Sequence, residues 1–273
     1  MRGSNSLSVI GALLAAACAS GGRTPPDEAI RTFPPDTLLR AIEARGRALA
    51  AYDQAAWHAT DAVLALAPLD GLVTHYIARP VSEGWLVSFG RLSADTGSFL
   101  VAFEAHPGDA PTRFRAVAVT PARADTGYLL RAARAVTLTR HDFGPLSRPY
   151  NVAVLPDERA EERNGAWLVY HFPAVTIDGV WPHGGDVRYR VSDDGRRVLE
   201  KRQLHRAILE FAAPAAEKPE TGLHTAIVDD IVEDTDVFLV LARKPAMQEL
   251  IVSKSYYFRI SVDGRITCML RTD

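Results

Sequence analysis

The side chains of this chain that could do chemistry are eight histidines, two cysteines and a short acidic run. The histidines stand singly, without the His-x-His, His-x-x-x-His or His-Glu-x-x-His spacings that bring two ligating side chains to one face of an element. The acidic run comprises Asp229, Asp230, Glu233, Asp234 and Asp236, and it lacks the spacing and central glycine of a calcium loop. The sequence therefore predicts no metal site and no cofactor, and it favours a solvated turn for the acidic run.

The stretch His183-Gly184-Gly185-Asp186 resembles the glycine-rich oxyanion loop of esterases, whose backbone N–H groups stabilise a developing oxyanion. A hydrolase also needs a nucleophile, and the chain contains no Gly-x-Ser-x-Gly elbow and no Ser-x-x-Lys. We therefore interpret the two glycines as a tight turn ahead of a strand that begins at Val187. His183 and Asp186 stay as candidate binding residues, and the sequence predicts no catalytic residue.

The N-terminus reads as an export signal. Arg2 precedes an apolar run from Leu7 to Ala17, and small residues lead up to Cys18. Leu14-Ala15-Ala16-Ala17-Cys18 resembles the lipobox of bacterial lipoproteins, which implies cleavage before Cys18 and lipid on its sulfur and new amino terminus. A plain cleaved signal peptide is the alternative. The run of about eleven residues falls short of the roughly 20 needed to span a bilayer.

Three segments follow from this leader. Residues 1–17 are the predicted signal peptide, residues 18–35 the lipidated cysteine and a flexible Gly/Pro-rich tether, and residues 36–273 a single globular domain with a possible sub-boundary near 140–148. Ala19 stands where the inner-membrane retention signal of lipoproteins would place aspartate. The resemblance therefore implies an outer-membrane anchor facing the periplasm, with secretion to the periplasm as the alternative location.

Composition excludes some classes of protein. A hydrophobic content of 47% with 23% charged residues is ordinary globular usage. The net charge of −2 gives no basic surface for phosphates, so we expect no nucleic-acid partner. The expected partners are the lipid bilayer, through acylated Cys18, and an envelope protein. Cys268 shares a predicted strand face with Ile266 and Leu270, which indicates a buried and unreactive thiol.

Periodicity predicts an α+β fold with a long N-terminal helix and a shorter second helix packed on a largely antiparallel, hairpin-rich sheet. The first helix covers Asp36–Leu66, with Asp36 as a cap and with Tyr52, Trp57, Val63 and Leu66 on or beside its buried side. A coiled-coil seam is the alternative for its spacing. The second helix covers Asp125–Thr139.

Short β-branched or aromatic runs between turn residues predict the strands. An antiparallel meander is expected over 75–79, 85–91, 98–104 and 112–119, and further strands over 150–155, 166–172, 187–192, 223–228, 236–242, 250–253, 256–262 and 265–270. Residues 198–211 begin as a strand and then show helical spacing, so only their start is assigned. Residues 212–220 are expected to form a loop.

Two Asp-Gly hairpins echo each other, at Tyr189–Arg196 and Phe258–Arg265. In the second, a three-residue turn with Gly264 at positive φ would place Ile260 opposite Ile266 and match the dry faces of both strands. The echo reflects either duplication of a β-unit or convergence on the same turn.

Two functions remain open from sequence. A membrane-anchored envelope lipoprotein with a non-enzymatic binding or structural role needs only the anchor and the fold. The alternative is a periplasmic hydrolase with a spatially assembled site near His183 and Asp186. A deep pocket lined by His183 and Asp186, with His171 or His205 within hydrogen-bond reach, would favour that alternative.

Overall fold

The computed structural model describes residues 32–272 except 70, 146, 158–165, 213–220 and 227. The signal peptide, Cys18, most of the predicted tether and nearly all of the loop expected at 212–220 lie outside the described residues. Phe33–Asp273 forms one compact unit, which continues across residues 140–148.

The α+β class predicted from sequence is confirmed. The helices among the described residues are α1 (Asp36–Leu66), α2 (Tyr128–Phe143) and α3 (Asp234–Ala242). The strands are β1 (His75–Val81), β2 (Gly84–Leu92), β3 (Phe99–Pro107), β4 (Phe114–Asp125), β5 (Tyr150–Pro156), β6 (Ala166–Pro173), β7 (Val180–Gly184), β8 (Val187–Ser192), β9 (Val198–Gln203), β10 (Ile208–Ala212), β11 (Thr221–Thr225), β12 (Gln248–Val252), β13 (Tyr256–Ile260) and β14 (Ile266–Leu270).

These strands form three four-stranded sheets and one ribbon. The first sheet is the predicted meander β1-β2-β3-β4, and the second has the order β5-β6-β8-β9. The third has the order β11-β12-β13-β14, in which β11 runs parallel to β12 and the other pairs are antiparallel. The ribbon pairs β7 with β10, and the sequence predicted neither strand, because their apolar and polar residues do not alternate clearly.

The helix α1 runs through two apolar cores. Its central part, with Leu49, Tyr52 and Val63, is buried with residues of the first sheet, α2 and the second sheet. Its first turns, with Leu39 and Ile42, are buried with α3 and the third sheet. A single helix therefore connects the N-terminal meander to the part of the molecule that contains α3.

Two details predicted for α1 are wrong. Trp57 and Leu66 are 54% and 51% exposed, whereas Tyr52 and Val63 are buried as predicted. Each helical residue turns by about 100°, so Trp57, one position after buried Ala56, points away from the buried stripe. Asp36 does not cap the helix, because the cap position falls on Pro35 and no side chain bonds to the first turn.

The strand predicted over 236–242 is the helix α3, and this prediction is wrong as well. Residues Val237–Ala242 are apolar on nearly every side, so their pattern has neither the period of a strand nor that of an amphipathic helix. A capping box fixes the helical start: the side chain of Glu233 accepts from the N–H of Asp236, and the side chain of Asp236 accepts from the N–H of Glu233. The solvated-turn interpretation of the acidic run is wrong for Glu233, Asp234 and Asp236, which are buried.

The register predicted for the terminal hairpin is confirmed. Ile260 lies opposite Ile266 and Phe258 opposite Cys268, and Gly264 has a φ of 75°. Cys268 is only half-buried, yet burial is the main reason that its thiol pKa rises to about 11. Both echoed hairpins, and the unrelated loop between β2 and β3, use one device, in which a serine hydroxyl donates to an aspartate two residues later. Local turn chemistry therefore suffices to explain the echo.

Candidate metal centre

Four side chains that are distant in sequence converge at one point of the structure. They are His183 on β7, His205 in the loop after β9, His224 on β11 and Asp236 in the first turn of α3, and we call this group the metal cluster. Each offers one ligand atom, and the four atoms lie within 4.8 Å of one another. All four side chains are largely buried, and His205, at 12% exposure, is the most accessible.

The geometry of the metal cluster centres on one carboxylate oxygen. Oδ1 of Asp236 lies 2.9 Å from Nε2 of His183, 3.1 Å from Nε2 of His205 and 3.0 Å from Nε2 of His224. The other oxygen, Oδ2, accepts the N–H of Glu233 at 2.7 Å in the capping box. The start of α3 therefore sets the direction in which Oδ1 points.

Local structure explains how the histidines point inward. The strand β11 buries alternate residues, Gly222 and His224, and exposes Thr221, Leu223 and Thr225. The strand β7 buries its last two residues, His183 and Gly184. Gly184 has a φ of 90°, and a Cβ there would lie 2.1 Å from the carbonyl oxygen of Ala207, so the turn after His183 requires glycine.

A second layer of carboxylates holds two of the three imidazoles. Nδ1 of His205 donates to Oδ1 of Asp186 at 2.9 Å, and Nδ1 of His224 donates to Oε1 of Glu249 at 2.9 Å. The other oxygen of Glu249 lies 2.7 Å from Nη1 of Arg243, and both side chains are buried. A metal-ligating histidine almost always donates its second N–H to such a partner, which orients the ring and fixes its tautomer.

The hydrogen bonds also define the charge states in the absence of an ion. His205 and His224 face carboxylate oxygens with both ring nitrogens, so both nitrogens must carry a proton. Burial opposes the charged ring, but the Asp236 charge and the bond to Asp186 raise the pKa of His205 to about 11. Burial likewise opposes charging of His224, and its bonds to Asp236 and Glu249 raise its pKa to about 9.

The pKa values of three other titratable groups at or beside Asp236 Oδ1, those of His183, Asp236 and Asp186, are lowered. Burial lowers the pKa of His183 despite its bond to Asp236. Burial would raise the pKa of Asp236, but the charge on His205 and the bonds from the three imidazoles hold it well below the usual range. The pKa of Asp186 is also lowered, because the bond and charge of His205 outweigh its burial. Without an ion, the charged imidazoles of His205 and His224 and the ring of His183 therefore surround one ionised carboxylate, that of Asp236.

A buried ion-pair network lies two residues away and fixes the start of α3. The Asp234 carboxylate accepts from Arg45 of α1 at 2.7 Å, from the Tyr170 hydroxyl at 2.8 Å, and from Arg188 of β8. Asp234 is fully buried. Since Asp236 belongs to the same helical turn, this network connects the position of the metal cluster to α1 and to the second sheet.

The structure brings together part of what the sequence singled out. His183 and Asp186 both contact His205, with His183 in ring contact and Asp186 in a hydrogen bond. His171 lies elsewhere, stacked on Phe143 and bonded to Thr139. The cavity of about 700 Å³ among the described residues lies elsewhere and includes none of these side chains; it is lined by parts of α1, β2 and α3 and by residues 107–112.

No metal site was predicted from the sequence, His224 was not singled out, and Asp236 was considered only as part of an acidic run that lacks the pattern of a calcium loop. The cluster residues are 12 to 53 positions apart along the chain, so no local spacing marks them. The one usable signal was the alternation of β11, which places a lone histidine on its inner face. The carboxylate of Asp236 was assigned to a solvated turn, because the acidic run lacks the spacing and central glycine of a calcium loop.

The donor set fits a divalent transition metal. Imidazole nitrogen with one carboxylate oxygen suits zinc, copper, nickel or iron, whereas magnesium and calcium prefer all-oxygen sites. Zinc–nitrogen bonds of about 2.0–2.1 Å in a tetrahedron place ligand atoms roughly 3.3 Å apart. The distances of 2.9–3.1 Å from the imidazole nitrogens to Asp236 Oδ1 are slightly shorter than this ligand-to-ligand distance. The four ligand atoms lie up to 4.8 Å apart, which is longer, so small side-chain movements would complete the coordination.

Comparisons with known proteins add no assignment: no family model matches the chain, and no curated protein or solved structure matches it. Among the described residues, no helix has both the length and the apolar character needed to cross a membrane.

Proposed function

We propose that this chain is a membrane-anchored envelope lipoprotein whose globular part binds one divalent transition-metal ion without catalysing a reaction. The observation that carries the metal is the convergence of three Nε2 atoms on Oδ1 of Asp236 within 3.1 Å. The carboxylate partners of His205 and His224 support it, because such outer partners accompany metal-bound histidine.

The anchor is supported by the leader. The small residues before Cys18 and the Gly/Pro-rich tether after it favour lipidation at Cys18, and Ala19 favours the outer membrane, with the domain facing the periplasm. Several acyl chains together would hold the protein stably in a bilayer, where one chain gives only reversible binding. Secretion to the periplasm remains the alternative if the leader is cleaved without acylation.

Binding is favoured over hydrolysis for a chemical reason. Catalytic zinc sites keep a coordination position open for water, whereas this cluster supplies four protein ligands. Asp186, a candidate of the hydrolase alternative, is already bonded to Nδ1 of His205 at 2.9 Å and so orients a ligand. The contact between His205 and Asp186 that would favour this alternative is present, but in it Asp186 is the outer partner of a histidine of the metal cluster.

Metal content of the full chain tests the binding proposal. The protein is purified in detergent, exposed in turn to zinc, nickel and magnesium, separated from free ion, and its bound metal counted by elemental mass analysis. We expect one equivalent of zinc or nickel and no magnesium, with the zinc lost in His224→Gln. His171→Gln is the matched control, because His171 is equally buried outside the cluster. Zinc binding equal in His224→Gln and His171→Gln would overturn the proposal.

The anchor has its own test. The precursor is expressed in a Gram-negative host, and the mass of the mature N-terminus is determined. We expect acylated Cys18 and a membrane fraction that retains the protein, whereas Cys18→Ser should release a folded protein. An unmodified Cys18 would contradict the anchor and leave the metal proposal intact.

A further inference from the structure

Resting on the proposed metal site, we infer that the ion is a resident structural ion of the zinc type, which attaches the β7–β10 ribbon and the strand β11 to the rest of the fold. It is therefore not exchangeable cargo.

The strand β11 has almost no apolar anchor. Its buried residues are Gly222 and His224, while Leu223 is 62% exposed. Backbone pairing with β12 holds one edge of the strand, but a strand with no buried apolar side chain gains little from packing. His224 is therefore the side chain through which β11 contacts the interior.

The ribbon shows the same property. The strand β10 has no fully buried residue, and the fully buried residues of β7 are His183 and Gly184. Trp181 is half-buried and donates from Nε1 to the carbonyl of Lys244 at 3.2 Å. The ribbon thus contributes a metal ligand where a strand would ordinarily contribute core residues.

The ligands connect every part of this corner. His183 comes from the ribbon, His205 from the loop that follows the last strand of the second sheet, His224 from the third sheet and Asp236 from α3. One ion bound to all four would link these elements at a single point. Structural zinc contributes folding free energy in this way, because its ligands are brought together only in the folded chain.

In the metal cluster, three imidazole nitrogens crowd around one carboxylate oxygen. One carboxylate oxygen offers about two lone-pair directions, and here three Nε2 atoms lie within 3.1 Å of it. A central cation would instead accept one lone pair from each of four donors. Four buried protein ligands match, in number, the closed coordination of structural zinc sites.

The experiment compares the full chain with and without its ion, using hydrogen–deuterium exchange of backbone amides. In the chelator-treated protein we expect residues 180–184, 208–212 and 221–225 to exchange at least about 10-fold faster than in the zinc-loaded protein, with the β1–β4 meander unchanged. Cobalt substituted for zinc should give the intense visible absorption of a four-coordinate centre.

Two variants keep the result interpretable. His183→Gln and His224→Gln should show the fast local exchange even with zinc present, whereas His171→Gln should not. Stoichiometric zinc binding with full protection of the three strands in the stripped protein would overturn the structural role and leave a cargo site, with the proposed function standing. Absence of zinc binding would overturn both.

Discussion

Buried histidines occur in two regions of this molecule, and the two regions treat them in opposite ways. In the metal cluster, imidazoles face carboxylates, and the pKa values of His205 and His224 rise to about 11 and 9 although burial opposes their charge. Around α2, His75 and His171 face threonine hydroxyls and aromatic rings, and burial is the main reason that their pKa values fall to about 4. Burial is common to both regions, so the partner decides the outcome.

The proton positions around α2 follow from the hydrogen bonds. Thr137 donates its hydroxyl to the carbonyl of Ala133, and Thr139 donates to that of Ala135, as helical threonines often do. Each hydroxyl must therefore accept from the imidazole, so Nε2 of His75 and of His171 carries the proton. In this environment the neutral ring with one proton already has a hydrogen-bond partner at Nε2, and this partner is a neutral hydroxyl rather than a carboxylate that could help to bind a cation. In this molecule, a buried histidine that faces neutral hydroxyls stays uncharged, whereas a buried histidine that faces carboxylates with both ring nitrogens becomes charged.

The largest expected effect concerns the charges beside the metal cluster. Asp234→Asn removes the carboxylate that pairs with Arg45 and Arg188, and it leaves two buried cations without compensation. We expect a loss of about 3–5 kcal/mol in the free energy of unfolding, measured by urea denaturation. The control is Asp193→Asn, whose partner Arg131 is 41% exposed, as is Asp193 itself. That variant should cost less than about 1 kcal/mol, and equal losses would show that burial of the pair does not matter here.

Hydrophobic periodicity decided which elements could be predicted from the sequence. The helix α1 and the meander were predictable because their apolar residues repeat with the period of a helix or of a strand. The helix α3 was not, since a segment buried on nearly every side has no such period, and its capping box begins with Glu233 where sequence rules look first for serine, threonine or aspartate.

The metal cluster was unpredictable for a related reason. Its ligands lie on a strand, a loop, another strand and a helix, so only tertiary packing brings them together. His183 and Asp186 were candidates because of the two glycines between them. Those glycines, Gly184 and Gly185, adopt positive φ and form the turn between β7 and β8. The glycine turn thus pointed to the right part of the chain although its role is to shape the backbone. Two of the ligand atoms come from His224, on a predicted strand, and from Asp236, in the predicted solvated turn.

The next effect concerns the outer carboxylates that distinguish the two regions. Asp186→Asn replaces a charged acceptor of the His205 Nδ1 proton by a neutral one. We expect zinc affinity to fall by about 10–100-fold, as for other outer partners of metal-bound histidines, measured by competition with a chromophoric chelator. Asp142→Asn is the control, because Asp142 pairs with Lys201 away from the cluster. An unchanged dissociation constant in Asp186→Asn would mean that this carboxylate does not orient His205.

A smaller effect should appear in the pH dependence of stability. His75 and His171 have folded pKa values lowered to about 4 from 6.5, so the unfolded chain takes up protons that the folded chain refuses. The contribution of these neutral histidines to the free energy of unfolding is complete above pH 6.5 and is lost as the pH falls through 6.5 toward 4. At pH 5 the loss is on the order of 2 kcal/mol per histidine.

The measurement is the free energy of unfolding of the parent and of His171→Gln at pH 7.5 and pH 5. The difference in the free energy of unfolding between the two proteins should be smaller at pH 5 than at pH 7.5, because glutamine does not titrate. The other titrating groups are common to both proteins, so their effects cancel in the difference. A difference that stays constant with pH would contradict the neutral, threonine-paired state of His171.

The smallest effect isolates the threonine hydroxyl itself. Thr139→Val keeps the side-chain shape and a similar helix propensity, but it removes the acceptor of the His171 Nε2 proton at 2.9 Å. The buried N–H is then unsatisfied, so we expect a loss of about 1–2 kcal/mol in urea denaturation with zinc content unchanged. Thr60→Val is the matched control for the hydroxyl-to-carbonyl bond alone, since Thr60 donates to Ala56 of α1 in the same way. If Thr139→Val costs no more than Thr60→Val, then the hydroxyl does not hold His171 in its neutral form, and burial among Phe143 and Tyr189 alone accounts for the lowered pKa.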